Sequence, residues 1–122
     1  MNYDDFNQFC QSLPATTHTI QWGNAHIWKV GGKVFAIGGW EKNNSPAFTF
    51  KVGDADFLFL QDIEGFRPAP YMASRGMKWL QIHNTTLFEQ DEIKRCIKES
   101  HRLIANGLSK KKQRQLGLID DK

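Results

Sequence analysis

No run in this 122-residue sequence approaches the roughly 18 apolar residues that a membrane helix requires, so a helical span is excluded. A secretory leader is not expected either, because Met1-Asn2-Tyr3-Asp4-Asp5-Phe6 puts acids where such a leader starts with positive charge. Cysteine is scarce: Cys10 and Cys96 stand alone, each on the apolar side of an expected helix, where a thiol acts as a small buried hydrophobe. With no Cys-x-x-Cys pair and no clustered Cys/His set, a disulfide framework and a zinc site are not expected. The four histidines, His18, His26, His83 and His101, are dispersed, and none stands beside a nucleophile or at metal-ligand spacing. These absences lead us to expect a soluble, cytoplasmic, non-enzymatic protein without a cofactor.

What is present suffices for one packed core and no more. At 40% hydrophobic content, 122 residues make one globular domain. We place it at residues 1–116, with a tail at 117–122. Asn2 can cap a helix in which Phe6, Phe9, Cys10 and Leu13 recur at helical spacing until Pro14 ends it. The period then falls to two. Ile20 and Trp22 alternate with Thr19 and Gln21, the Gly23-Asn24 turn follows, and the runs His26 to Val30 and Lys33 to Gly38 flank Gly31-Gly32. Two glycines between such runs predict a tight hairpin, since both can take positive φ without a Cβ clash.

A turn at Lys42-Asn43-Asn44-Ser45-Pro46 precedes a strand over 47–52, with Phe48 and Phe50 on one face. Asp54 can cap a short helix through Phe57, Leu58 and Leu60, which Gly65 stops and whose burial anchors the sheet edge. Pro68 and Pro70 exclude helix around Arg67 to Tyr71. Ser74-Arg75-Gly76 makes a further turn, and Met77 to His83 supplies a fifth strand. The last helix starts between Thr86 and Asp91, and Thr86 with Glu89 matches a capping box. The pattern as a whole predicts an α+β fold with an antiparallel sheet of five strands.

Charge is unevenly placed. Residues 1–93 carry seven Lys/Arg against ten Asp/Glu, whereas 94–114 carry eight against Glu99 alone. On the last helix Ile93, Ile97, Ser100, Ile104 and Leu108 share about 80° of arc, and Lys94, Lys98, Arg102 and Arg95 occupy about 100° beside it. The Lys110-Lys111-Lys112-Gln113-Arg114 run follows beyond Gly107. An anionic partner would suit this end, although a solvated basic face and a solubilising tail produce the same pattern, and bases late in a helix also complement its dipole.

Several motifs also occur as a set. They are the amino-terminal amphipathic helix, the hairpin around Gly31-Gly32, Ala69-Pro70-Tyr71 followed by Trp79 on a strand, and Ile97-x-x-Ser100-His101-x-Leu103-Ile104 leading to Leu108-x-Lys110-Lys111. From about Tyr3 to Leu116 the chain resembles the MmcQ/YjbR proteins, departing from many of them at His101, where they carry Tyr, and at Ser109, where they carry Pro. The resemblance implies a frataxin-like arrangement, with the amino- and carboxyl-terminal helices packed on one face of the antiparallel sheet. It also implies a double-wing DNA-binding role, because the family is so described.

In that role Lys94, Lys98, Arg102, Lys110, Lys111, Lys112 and Arg114 would neutralise phosphates of double-stranded DNA with little sequence preference. Lys33 and Lys42 could serve as wing tips, and the protein is expected to act as a monomer. The competing class is a small-ligand or protein-interaction module. Its aromatics, Trp22, Trp28, Trp40 and Trp79 with nine phenylalanines, would line a pocket beside Tyr71 and Arg67, with Trp40 the most exposed, unless they only pack a core. Metal binding is not expected, since Asp4 and Asp5 alone make a poor acidic ridge for iron.

Overall fold

The computed structural model of the protein describes residues 1–42, 44–72 and 75–120. Asn43 and Ser74, which belong to two of the expected turns, lie outside the described residues, as do Ala73, Asp121 and Lys122.

The fold is α+β. Helix α1 (Tyr3–Ser12) leads into strands β1 (Thr16–Gln21), β2 (Ala25–Val30), β3 (Lys33–Gly38) and β4 (Phe48–Lys51). Helix α2 (Asp54–Leu60), strands β5 (Phe66–Pro68) and β6 (Trp79–Ile82), helix α3 (Gln90–Asn106) and a short helix α4 (Lys110–Gln115) complete it. The strands form one antiparallel sheet in the order β1-β2-β3-β4-β6-β5. There are six strands, not the five expected. The prolines that exclude helix between Arg67 and Tyr71 do not prevent Phe66 to Pro68 from pairing with β6, because β5 lies at the sheet edge, where a missing amide proton is tolerated.

Local chemistry explains most boundaries. The Asn2 side chain accepts from the Asp5 amide at 2.7 Å, and the Asp5 carboxylate accepts in return from the Asn2 amide, so α1 opens on a capping box. Gly31 and Gly32 take φ of +58° and +81°, the geometry a two-residue hairpin turn needs. Helix α3 starts within the expected window but uses a different box. Glu92 accepts from the Glu89 amide at 3.0 Å, whereas Thr86 belongs to a separate 3-10 turn, Thr85–Leu87, capped by Asn84.

Helices α1 and α3 share one face of the sheet. Phe6 and Cys10 of α1 and Ile93 and Ile97 of α3 are buried against Phe35, Phe48, Phe50, Leu80 and Ile82. Each such side chain contributes about 1.5 to 3 kcal/mol through the apolar area removed from water. Ser100 joins α3 to two strands: it accepts from the Lys51 amide at 2.8 Å and donates to the Phe35 carbonyl at 2.7 Å.

The opposite face carries a smaller cluster of Ala25, Ile27 and Ile37, with Trp40 and Met72 packed on it. Here too lies Gln81, fully buried, whose Nε2 donates to the Gly39 and Trp40 carbonyls at 3.4 and 3.3 Å.

Two expectations about burial are corrected. Trp22 is not a strand residue: β1 ends at Gln21, and Trp22 enters the turn with φ of +53° and more than half its surface exposed. Ile20 is likewise exposed, near the end of edge strand β1 farther from its Thr16 contacts with α1. In α2, which begins at Asp54 with Gly53 as its cap, Phe57 is buried and Leu58 and Phe59 are exposed, because seven residues give only two turns, and one face meets the core.

Candidate functional site

The basic segment is an ordered part of the fold. Ser109 caps α4 by accepting from the Lys112 amide at 3.1 Å. Gln113 is buried, and its Nε2 donates to the Leu108 and Asn106 carbonyls at 2.7 and 3.3 Å, tying α4 to the end of α3. Leu108 and Leu116, at the two ends of α4, close on Gly31 of the β2-β3 hairpin, and Leu118 packs against the main core. Gln113 thus divides the Lys110 to Arg114 run into an inward anchor and outward charges. Lys110, Lys111, Lys112 and Arg114 are all exposed.

On α3 the expected arcs appear, with Ile93, Ile97 and Ser100 buried and Lys98 and Arg102 exposed. The three cations chosen there differ in availability. Lys94 is half-buried, with its Nζ 5.6 Å from the Phe9 ring centroid. Arg102 donates through Nε to Glu99 at 2.9 Å and also through Nη2. That interaction holds the Glu99 carboxyl below its ordinary value. It is the one ion pair within 4.0 Å among the described residues. Lys98 has no such partner. Arg95, Lys98, Glu99 and Arg102 line a groove of about 600 Å³ together with Pro14 and Gln113, so this side of α3 meets the inward anchor of α4.

The hairpin contact separates Lys33 from Lys42. Lys33, exposed, directly follows the Gly31-Gly32 turn that α4 covers, and so lies at the same end of the sheet. Lys42 follows the other end of β3, about 17 Å away at some 3.3 Å per strand residue, and does not belong to it.

That opposite end holds a second feature, a cleft of about 1010 Å³ bounded by the start of α1 and by the β1-β2, β3-β4 and β5-β6 connections. The Trp22 and Trp40 rings stack with centroids 6.0 Å apart, and Tyr71 meets Trp40 edge-on at 5.3 Å. Trp22 is 52% and Tyr71 72% exposed, whereas Trp40, expected to be the most exposed tryptophan, is half-buried. Trp28 and Trp79 are buried.

Trp22, Asn24, Trp40 and Tyr71 all adopt φ between +53° and +68°. Left-handed backbone costs a non-glycine residue about 1 to 2 kcal/mol and persists only where the surroundings fix it. For Trp40 the fixing groups are visible. Its carbonyl accepts from Gln81 and, at 3.5 Å, from Arg67, and its Nε1 donates to the Trp22 carbonyl at 3.2 Å. Arg67 is therefore a brace behind the cleft, not part of its wall.

Charged and polar groups complete the cleft. Tyr3 donates its hydroxyl to Glu41 Oε2 at 2.5 Å, and burial, followed by this bond, raises the Tyr3 phenol far above its ordinary value. His26 lies on the wall beside Tyr3, with its Nδ1 3.1 Å from His18 Nε2. Burial, and then His26, lowers the His18 imidazole from its ordinary value. Arg75 supplies a single guanidinium. From sequence, Trp22, Trp40 and Tyr71 are expected at a pocket, whereas Tyr3, Glu41 and Arg75 are not assigned to a site. The Gly23-Asn24 and Gly38-Gly39 pairs flanking two tryptophans were the available signal. No group of three or more metal-ligating side chains gathers among the described residues.

Solved structures share this architecture. A Deinococcus radiodurans protein, DR2400, with a DUF419 domain, superposes with a TM-score of 0.84 over 98% of this chain and 90% of its own, at 18% identity. A Pseudomonas syringae protein superposes with a TM-score of 0.68 over 85% of this chain and 99% of its own, at 19% identity. No curated protein matches the chain. The YjbR family model matches residues 11–103, from the end of α1 to within α3, and the chain belongs to the YjbR family.

Proposed function

We propose that this protein binds double-stranded DNA through its phosphate backbone, without sequence preference, using the surface made by α4, the outer side of α3 and the β2-β3 hairpin. In this reading it acts as a cytosolic monomer with no catalytic step and no cofactor. The observation that carries the reading is the state of α4. It is a docked helix presenting Lys110, Lys111, Lys112 and Arg114 to solvent, with no acidic partner within 4.0 Å among the described residues.

Fold stability gives little reason for that arrangement. Lys110 and Lys111 in the first turn oppose the helix dipole, Lys112 and Arg114 in the last turn complement it, and Lys110 repels Arg114 four residues on, each effect worth a few tenths of a kcal/mol. The anchoring by Gln113, Leu108 and Leu116 would hold as well with neutral residues on the outside. Lys98 and Lys33 extend the exposed cations to six, and polyphosphate binding is the chemistry such a set performs best. The proposed contacts are all to phosphates, so they position the protein without specifying sequence.

Fluorescence anisotropy with short duplexes of two unrelated sequences tests this at low salt. Comparable affinity for both is expected, together with loss of binding in the Lys110→Glu/Lys111→Glu/Lys112→Glu variant, whose changes are all at exposed positions. Unchanged binding by that variant would overturn the assignment.

A further inference from the structure

The aromatic cleft lies at the opposite end of β3 from the basic surface and is not used by it. Its construction goes beyond what packing requires. Two large rings are left more than half exposed, and four non-glycine residues hold left-handed backbone around one cavity. Strain of this kind, fixed at Trp40 by Gln81 and Arg67 from behind, is characteristic of a site shaped in advance for a ligand.

The charges narrow the ligand's chemistry. Exposed aromatic faces favour a flat partner or a cation. An isolated cation would gain from Glu41 but meet Arg75, and a simple aromatic anion would gain from Arg75 but meet Glu41. A ligand suited to both is planar, carries N–H donors at one end and a negative group at the other. The volume, about 1010 Å³, accommodates a molecule at the large end of the roughly 300 to 1,000 Å³ range of ligand pockets.

We propose that this cleft binds a free purine nucleoside monophosphate. The base stacks on the exposed Trp22 ring with Tyr71 beside it, the Glu41 carboxylate accepts from the base edge, and Arg75 pairs with the phosphate. Guanine is favoured over adenine because its Watson–Crick edge offers two adjacent donors to one carboxylate. The Tyr3 hydroxyl fixes the orientation of that carboxylate through Oε2 and leaves lone pairs on both oxygens free to accept.

Isothermal titration calorimetry of the full chain with GMP, AMP, UMP and guanosine tests the proposal. Saturable GMP binding is expected, tighter than AMP and tighter again than UMP. Trp22→Ala, at an exposed position, should weaken GMP by about 5- to 150-fold, the equivalent of losing one base–aromatic stack. Arg75→Gln should weaken GMP while leaving guanosine unchanged, and Glu41→Gln should abolish the preference for GMP over AMP. The triple glutamate variant of α4 should bind GMP normally. Absence of saturable binding by all four probes would overturn the proposal, as would wild-type affinity in both the Trp22 and Arg75 variants. Loss of GMP binding in the α4 variant alone would place the nucleotide on the basic surface and overturn the cleft assignment, whatever the outcome with duplex DNA.

Discussion

A β-carbon on Gly31 would lie 2.6 Å from Leu108 Cδ1, closer than two carbons can approach, so the hairpin turn and the leucine just before α4 meet in a contact that any larger residue at 31 would force to shift. Through that contact the sheet sets the position of a helix whose outer side is basic.

Replacing Gly31 with alanine should therefore do two things. It strains a residue at φ +58° and forces Leu108 away, destabilising the protein by about 1 to 3 kcal/mol in urea unfolding. It should also weaken duplex binding by displacing α4. Gly32→Ala is the control: φ is +81° but nothing lies within 4 Å of the added carbon, so about 1 kcal/mol of backbone strain should appear with DNA binding retained.

The Ser100 hydroxyl is fully buried between α3, β3 and β4, and alanine there leaves the Lys51 amide and the Phe35 carbonyl without that partner. Ser100→Ala should cost about 1 to 3 kcal/mol in chemical denaturation. A loss below a few tenths would mean that the bridge is not a structural tie.

Glu99 is the carboxylate within the basic surface, and it occupies Arg102. Glu99→Gln should release that guanidinium to a phosphate, tighten duplex binding at low salt and steepen the salt dependence by about 0.9 in log–log slope. The paired groups are exposed, so thermal stability should change little.

His18 gives the fold an acid-sensitive point. Burial and the adjacent His26 hold its folded value below 6.5, so the unfolded chain takes up the proton more readily. The stability that depends on a neutral His18 is complete above about 6.5 and is lost as pH falls through the folded value. Because His18 is largely exposed, the effect is small: His18→Gln should slightly flatten the decline in melting temperature between neutral and mildly acidic pH.

Much of the fold was legible because helical and two-residue periods are both written by buried apolar side chains. Phe6, Cys10, Ile93 and Ile97 marked the helix faces, Phe48 and Phe50 marked a strand, and Asn2 and Gly31-Gly32 marked a cap and a turn. The strand β5 was not legible, since an edge strand containing proline depends on its neighbour's amides and carbonyls and leaves no pattern of its own. Trp22 misled for a related reason: alternation with Gln21 looks the same whether the ring enters a core or caps an exposed turn. The basic residues were visible individually. Their differing availability was not, because the Phe9 ring under Lys94 and the Glu99 carboxylate on Arg102 become neighbours only once the helices form and pack. The aromatic cleft draws on the start of α1 and three separate connections, and no single stretch of sequence announces it.

The salt dependence of duplex DNA binding tests the central claim most directly. Phosphate contacts from six of the exposed cations without an ion-pair partner, Lys33, Lys98, Lys110, Lys111, Lys112 and Arg114, should give a slope of log affinity against log salt near −5, at about 0.9 per phosphate contact. The α4 triple glutamate variant should reduce that slope by about 3 wherever residual binding can be measured. Binding that does not change with salt, or no binding at low salt, would contradict the account.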